Sequence, residues 1–369
     1  MFGTRVWPEK GYEKYGRVRV AGDRIVKALI LLNYRYDTII VGSSRPLIGF
    51  NPDAKAFRKR HVYNSAFNGA TNLENTGVVR FVLAHQTGLK DLIIGLDFFA
   101  FETYQTEADY EQSAFSGASP WLGYAARTFS KSAMDGAWRF WRNVRQETPQ
   151  VTVDGFNFTP AKWLKNRRET FLAKARGAGS NCTTISTFAS NLDRNLALLE
   201  PALVSAKARG VNIHLFISPQ HVWAHAAEEA SGRTARYENF KRSLRAMTDR
   251  LGVKPGSGQI ALWDFDGLDV VTLENVPSVG NGSDTLFFWE HSHFKRTTGD
   301  AILSKMFGEA GSIDGFGQRL DLIDIDAHLS ATREKLKQWE ADNPEDTATL
   351  RGFVNANKNC RGDANDIEN

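Results

Sequence analysis

Five short apolar runs rich in β-branched residues, each ending in a turn and separated by helix-length stretches, constrain this chain most. The first is Asp37-Thr-Ile-Ile-Val-Gly-Ser-Ser-Arg45, in which four strand-forming residues run straight into Gly42 and two serines. Apolar character without alternation marks a strand buried on both faces, and the glycine marks a tight turn at its end. The same pattern recurs at 62–66, 91–97, 211–218 and 259–265. Between the runs, apolar spacing and stop signals such as Gly88 and Gly210 predict helices over about 23–32, 72–86, 187–208, 223–251 and 298–307. Parallel strands need such crossovers, because a tight turn can only reverse the chain. The expectation is an α/β fold with a mainly parallel sheet and helices on both faces. In sheets of this kind functional residues gather at the carboxyl ends of the strands. The turns after Val41, Ala66, Ile94 and Ile217 are therefore the places to look for chemistry.

The organisation around this core reads as an arm over 1–35, an α/β domain over 36–310, and a C-terminal helix and tail over 311–369, the helix over about 324–341. From about 103 to 182 the pattern turns polar and aromatic, with helical segments near 123–145 and 160–174, which reads as an insertion or cap. Its stretch 121–163 is also basic, with Trp138, Arg139, Trp141, Arg142 and Arg145. A cap packed on the cleft and an aromatic surface for stacking sugar rings are both open readings.

Composition removes whole classes. With 42% hydrophobic and 24% charged residues the chain is not disordered. Forty-six Lys and Arg against 42 Asp and Glu give a net charge of only +4, and no dense basic run concentrates it, so nucleic acid is not an expected partner. No apolar run approaches the roughly 18 residues of a membrane span. Residues 1–10 lack the ordered basic, apolar and small-residue regions of a signal peptide. The two cysteines, Cys182 and Cys360, form no CxxC or Cys/His cluster, which argues against structural zinc. One disulfide or two free thiols both remain open for them.

Two weak signals point to one chemistry. Gly42-Ser43-Ser44-Arg45 places hydroxyls at a strand-to-helix turn, where a serine's own N–H can help hold an oxyanion. Alone this is equally a structural turn or helix cap. Near the C-terminus stands Trp289-Glu290-His291-Ser292-His293-Phe294. A carboxylate three residues before an imidazole can fix its tautomer and support the imidazolium that forms on proton transfer. A capping Glu beside a surface His is the competing reading. An HxH half-site for metal is the other, but no third ligand is well placed. His221, beyond Ser218-Pro219 at a strand end, reads either as a substrate contact or as a cap for the helix at Trp223. Arg45 pairs with a neighbouring carboxylate or binds an anionic sugar. Asp264 reads as a structural acceptor, and His61, His85, His214, His225 and His328 show no pairing pattern.

Taken together, Asp37–Arg45, Val62-Tyr-Asn-Ser-Ala-Phe-Asn-Gly69, Ile93-Ile-Gly-Leu-Asp-Phe-Phe99 and Glu290-His-Ser-His-Phe294, with Gly299 and Met306-Phe307-Gly308, resemble the sequence blocks of the SGNH (GDSL-like) hydrolase superfamily. The resemblance is to its divergent exported bacterial members, including those acting on exopolysaccharide O-acetyl groups. It implies a flavodoxin-like three-layer α/β/α sandwich. It makes Ser44 the nucleophile, His293 the base, and Glu290 the residue that orients it, where the superfamily usually has Asp. It places Ser44, Gly69 and the residue at position 97 around the oxyanion. There the superfamily has an Asn donor, and this chain has Asp97, which as a carboxylate cannot donate; either Asp97 is protonated, or it faces elsewhere, or a donor from another loop substitutes. Arg45 and His221, from their places in the chain rather than from the resemblance, are the candidate substrate contacts. The implied activity is that of a serine esterase or O-acetyltransferase acting on a carbohydrate, without metal or organic cofactor. The rival is a weak or inactive protein of the same fold that binds polysaccharide or supports its assembly and export. The implied location is periplasmic or otherwise extracytoplasmic, with an N-terminal membrane anchor absent from this sequence and polysaccharide-biosynthesis proteins as candidate partners.

Overall fold

The computed structural model describes residues 23–120, 125, 154–156, 167–177, 185–278 and 284–356. The arm before residue 23, most of the insertion with Trp138, Arg139, Trp141, Arg142 and Arg145, and both Cys182 and Cys360 lie outside the described residues.

All five sequence runs form strands: β1 Thr38–Val41, β2 Val62–Asn64, β3 Asp91–Leu96, β4 Asn212–Ile217 and β5 Ile260–Asp264. They pair in parallel in the order β2-β1-β3-β4-β5. A separate two-stranded hairpin is formed by Phe288–Glu290 (β6) and His293–Phe294 (β7), which pair with each other and not with the central sheet. The edge strand β8, Gln318–Arg319, pairs antiparallel to β5. The fold is thus α/β with a mostly parallel central sheet.

The register explains why these strands read as unbroken apolar runs. Ile39 and Val41 lie opposite Leu92 and Ile94, and Leu92 and Ile94 lie opposite Ile213 and Leu215. These residues share one buried cluster with Val78 and Val82 of the helix Asn72–His85, Leu199 and Leu203 of Ile185–Ala208, and Phe240 and Leu244 of Thr234–Gly252. The alternate residues Ile40, Ile93 and Phe216 join a second cluster with Trp223 of Val222–Ala230 and Ile302 of Arg296–Phe307. Because side chains alternate along a strand, both faces of the sheet are covered. Among the described residues, no helix is long and apolar enough to cross a membrane.

Two expectations change in detail. The helix read over 223–251 is two helices, Val222–Ala230 and Thr234–Gly252, broken at Ser231-Gly232, where Gly232 takes a left-handed φ of 70°. The tail read as polar carries a second helix, Pro344–Ala356, after Ile325–Asp342. Its Pro344 stands at the first helical position, where the missing N–H costs nothing.

The strand order positions the site. From β1 the chain passes to β2 on one side and then returns to β3 on the other, so the order reverses between β1 and β3. Such a reversal opens a crevice at the carboxyl ends of the two strands. Gly42-Ser43-Ser44 and Asp97 are the residues that leave those ends.

Candidate active site

Gly42 has a φ of +152°, and a Cβ there would stand 2.7 Å from Pro46 Cγ and 3.4 Å from Gly95 Cα. Only glycine permits that close passage of the β1 turn over β3. Ser43 then caps the helix Ser44–Gly49, its hydroxyl accepting from the Arg45 N–H at 3.2 Å. Asn64 at the end of β2 donates to the carbonyls of Pro46 and Phe50, both at 2.9 Å, and so ties the next strand to this helix. Ser44 is left half-buried at the mouth of the turn.

The hairpin β6–β7 delivers the second half of the site. Ser44 Oγ lies 2.7 Å from His293 Nε2. On the other ring nitrogen, Nδ1, the partner is Glu290 Oε1. Glu290 is fully buried. Burial alone would raise its carboxyl, but the charge of His293 and the hydrogen bond to it, with His291 and Lys174 adding, outweigh that and hold it well below the usual carboxylate range. Ser292 completes the turn. Its N–H donates to Glu290 Oε2 at 3.1 Å, and its hydroxyl lies 3.0 Å from Glu290 Oε1 and 3.1 Å from His293 Nδ1. The two halves are clamped together by packing: a Cβ on Gly49 would meet the Phe294 ring at 1.9 Å, and one on Gly299 would meet the Gly49 carbonyl oxygen at 1.9 Å.

Asp97 is 1% exposed and does not offer a donor to the crevice. Its Oδ1 accepts from Arg45 NH1 at 2.9 Å, and its Oδ2 accepts from the Ser43 hydroxyl. The expectation of Asp97 as an oxyanion contact is therefore corrected: its carboxyl braces the residues on either side of Ser44. Arg45 also donates to Gln220 Oε1 at 2.8 Å, and the Gln220 N–H donates to Asp266 Oδ1 at 2.5 Å. Burial works against the Arg45 charge, but Asp97, with Asp266 adding, outweighs it and raises the guanidinium above its ordinary value. Arg45 thus pairs with a neighbouring carboxylate, the plainer of its two readings.

His221 is corrected as well. It is 1% exposed and caps the helix Val222–Ala230, its Nδ1 accepting from the Trp223 N–H at 3.2 Å while Nε2 donates to the Glu274 carbonyl at 2.7 Å. With both nitrogens used and its pKa lowered by burial to about 3, it is a neutral structural imidazole rather than a substrate contact. Gly69 lies in an exposed turn after β2 with a φ of +63° and open space where a Cβ would stand.

Several partners had no signal in the chain. His225 faces Asp266 at 3.2 Å, and His328 faces Asp264 at 2.8 Å. Asp264 also holds the buried Lys241 at 2.8 Å, in keeping with a structural acceptor. His214 faces Asp91 at 3.1 Å. Among the described residues, no group of three or more His, Cys, Asp or Glu side chains is gathered as metal ligands would be.

The arrangement can move a proton from a serine hydroxyl to an imidazole whose cation is stabilised by a buried carboxylate. That is the arrangement by which a serine hydroxyl can be activated as a nucleophile. The chain matches no family model, no curated protein and no solved structure.

Proposed function

We propose that this protein is a serine esterase or O-acyltransferase of the SGNH type, built as a flavodoxin-like three-layer α/β/α sandwich and acting on acetyl groups carried by a carbohydrate. The observation that carries the reading is the contact of Ser44 Oγ with His293 Nε2 at 2.7 Å, with Glu290 on Nδ1. Ser44 Oγ attacks the ester carbonyl while His293 Nε2 takes its proton. The tetrahedral intermediate collapses, the C–O bond to the alcohol breaks, and His293 returns the proton to the leaving oxygen. The acyl-enzyme then passes to water or to a sugar hydroxyl by the same steps in reverse. The backbone N–H groups of Ser44 and Gly69 are the proposed oxyanion donors, and Asp97 supplies none.

The carbohydrate substrate and the extracytoplasmic location rest on the sequence resemblance, and so does association with polysaccharide-biosynthesis partners or a membrane anchor. The rival, a polysaccharide-binding protein without catalysis, draws on the missing donor at position 97, since one lost donor costs about 10²–10³ in rate. Against it stands the assembled triad, which a binding module does not need. A serine-reactive fluorophosphonate probe separates the two. Labelling of the wild type but not of Ser44→Ala supports the enzyme, and equal labelling of both, or none of either, sinks it.

A further inference from the structure

The loop that leaves β2 carries Gly69, and its peptide planes are ordered in one sense. The Ser65 N–H donates to the Ile40 carbonyl at 2.8 Å, and the Phe67 N–H donates to the Gly42 carbonyl at 2.9 Å. On the far side of those two planes, the carbonyls of Asn64 and Ala66 both accept from the buried Lys27 Nζ at 2.8 Å. The next alternate carbonyl, that of Asn68, accepts from Arg24 NH2 at 3.3 Å. Arg24 and Lys27 stand three residues apart on the helix Asp23–Asn33, so one face of that helix holds three alternate carbonyls of the loop.

A trans peptide is planar, and its N–H points opposite to its C=O. Among the described residues every peptide bond is trans. Holding the Asn68 carbonyl against Arg24 therefore turns the Gly69 N–H away from that helix, in the sense already taken by Ser65 and Phe67. Their bonds run from 65 to 40 and from 67 to 42, and one further step of that register leads from 69 to Ser44. Among the described residues neither the Gly69 N–H nor the Ser44 N–H has an acceptor. Nothing at Gly69 itself fixes the orientation. Glycine takes either sign of φ at little cost, the turn is exposed, and open space stands where a Cβ would be. A flip of the 68–69 plane would turn the N–H away from the crevice, and the Arg24 bond opposes it. Arg24 is itself held, by Glu74 Oε2 at 2.7 Å and Asp109 Oδ1 at 3.3 Å, and its guanidinium lies 5.1 Å from the centre of the Phe67 ring. A charged donor fixed by two carboxylates grips a carbonyl more firmly than a neutral one.

We infer that Arg24 is a positioning residue: through the Asn68 carbonyl it sets the 68–69 peptide plane, so that the Gly69 N–H faces the oxyanion formed when Ser44 is acylated. The inference rests on the esterase reading for its place in the reaction, but the orientation of the plane is measured without turnover.

The test compares the full chain with Arg24→Met and Arg24→Lys. Residual dipolar couplings of backbone N–H groups report the direction of each peptide plane in the free protein. The expected result is a Gly69 coupling that changes in Arg24→Met, while those of Ser65 and Phe67 stay as in wild type. In the same variant kcat for p-nitrophenyl acetate and the rate of phosphonate labelling should each fall at least tenfold, with KM within about twofold, because one lost oxyanion donor costs about 10²–10³. Arg24→Lys keeps a charged donor and should retain more of the rate than Arg24→Met. Where Arg24→Met fails to fold, Arg24→Met with Glu74→Gln removes the buried charge left without its partner and carries the same measurements. A Gly69 coupling unchanged in the folded variant, a kcat equal to that of wild type, or a loss confined to KM would each overturn the inference. A wild-type protein that takes no phosphonate would remove the esterase reading and the role in reaction with it, whereas the couplings would still tell whether Arg24 sets the plane.

Discussion

Asp97 Oδ1 and Arg45 NH1 meet at 2.9 Å, joining the residue that leaves β3 to the residue that follows Ser44. Both side chains are buried, and Ser43 closes the brace on the other carboxylate oxygen. An Asn at position 97 would offer an amide donor but leave the Arg45 guanidinium without its counter-charge in a buried place. Breaking such a pair from one side costs about 3–5 kcal/mol when the partner charge stays buried. Asp97→Asn is therefore expected to lower both the melting temperature and the rate of phosphonate labelling, the rate at least tenfold. A double-mutant cycle of Asp97→Ala with Arg45→Ala should show coupling of at least about 1 kcal/mol in stability. A faster Asp97→Asn enzyme would mean that the carboxyl had been obstructing the oxyanion.

The brace also marks how far the sequence could be read. All five parallel strands were legible because burial on both sheet faces forces unbroken runs such as Thr38-Ile-Ile-Val41, a pattern local to each strand. The meeting of Ser44, His293 and Glu290 was legible because Ser44 sits at a strand end and Glu290 and His293 lie within one turn of each other. The direction of a side chain was not. Whether Asp97 points to the crevice or to Arg45 depends on a partner 52 residues away, and the same holds for His225 with Asp266, 41 residues apart. The cap formed by His221 was one of two readings, and only the Glu274 carbonyl, from a loop 53 residues on, decides it.

The triad predicts a graded pattern of losses. Ser44→Ala and His293→Ala are each expected to remove nearly all hydrolysis of p-nitrophenyl acetate, and the double variant to lose no more, since the members act as one unit. Glu290→Gln keeps the shape but removes the charge that supports the imidazolium, for a loss of about 10²–10⁴ in kcat. Ser292→Ala, which frees one side of Glu290, should cost about tenfold. A Glu290→Gln enzyme with wild-type kcat would remove Glu290 from the mechanism.

The pH dependence of activity has a definite sign. Proton transfer from Ser44 needs an acceptor nitrogen free of its proton, so the rate must fall in acid. Glu290 is held well below the usual carboxylate range and stays ionised through that fall. The acid limb of kcat/KM should therefore fit a single ionisation in wild type. An acid limb that requires two protons would show a second group titrating there.

His221 predicts acid lability of the fold. Its pKa is near 3 in the folded protein against 6.5 for a free imidazole. Between these values the unfolded chain binds a proton that the folded chain excludes, so stability is full above about pH 6.5 and declines as pH falls toward 3. The share lost at pH 5 is on the order of 2 kcal/mol. His221→Asn keeps a good helix cap without a titrating group. Its melting temperature should fall less than that of wild type between pH 7 and pH 5. Parallel curves for the two proteins would show that another group governs the acid limb of stability.

Gly299 offers a test in which two physical effects have opposite signs. It stands inside the helix Arg296–Phe307, where Ala is ordinarily better than Gly by about 1 kcal/mol. A Cβ at this position, however, would lie 1.9 Å from the carbonyl oxygen of Gly49 and 2.7 Å from its carbonyl carbon. Neither is the loose end of a side chain, so the helix must move away from Ser44–Gly49. Overpacking of this kind costs about 1–3 kcal/mol, which outweighs the gain in propensity. The helix follows directly on β7, so the displacement carries His293 away from Ser44, whose contact at 2.7 Å leaves little slack. Gly299→Ala is expected to lower the melting temperature by several degrees and to reduce phosphonate labelling at least tenfold at temperatures where the protein remains folded. Gly352, which has open space where its Cβ would stand in the helix Pro344–Ala356, serves as the control, and Gly352→Ala should be neutral or stabilising. A stabilised Gly299→Ala protein with full labelling would mean that the contact between the two helices does not set the distance between serine and histidine.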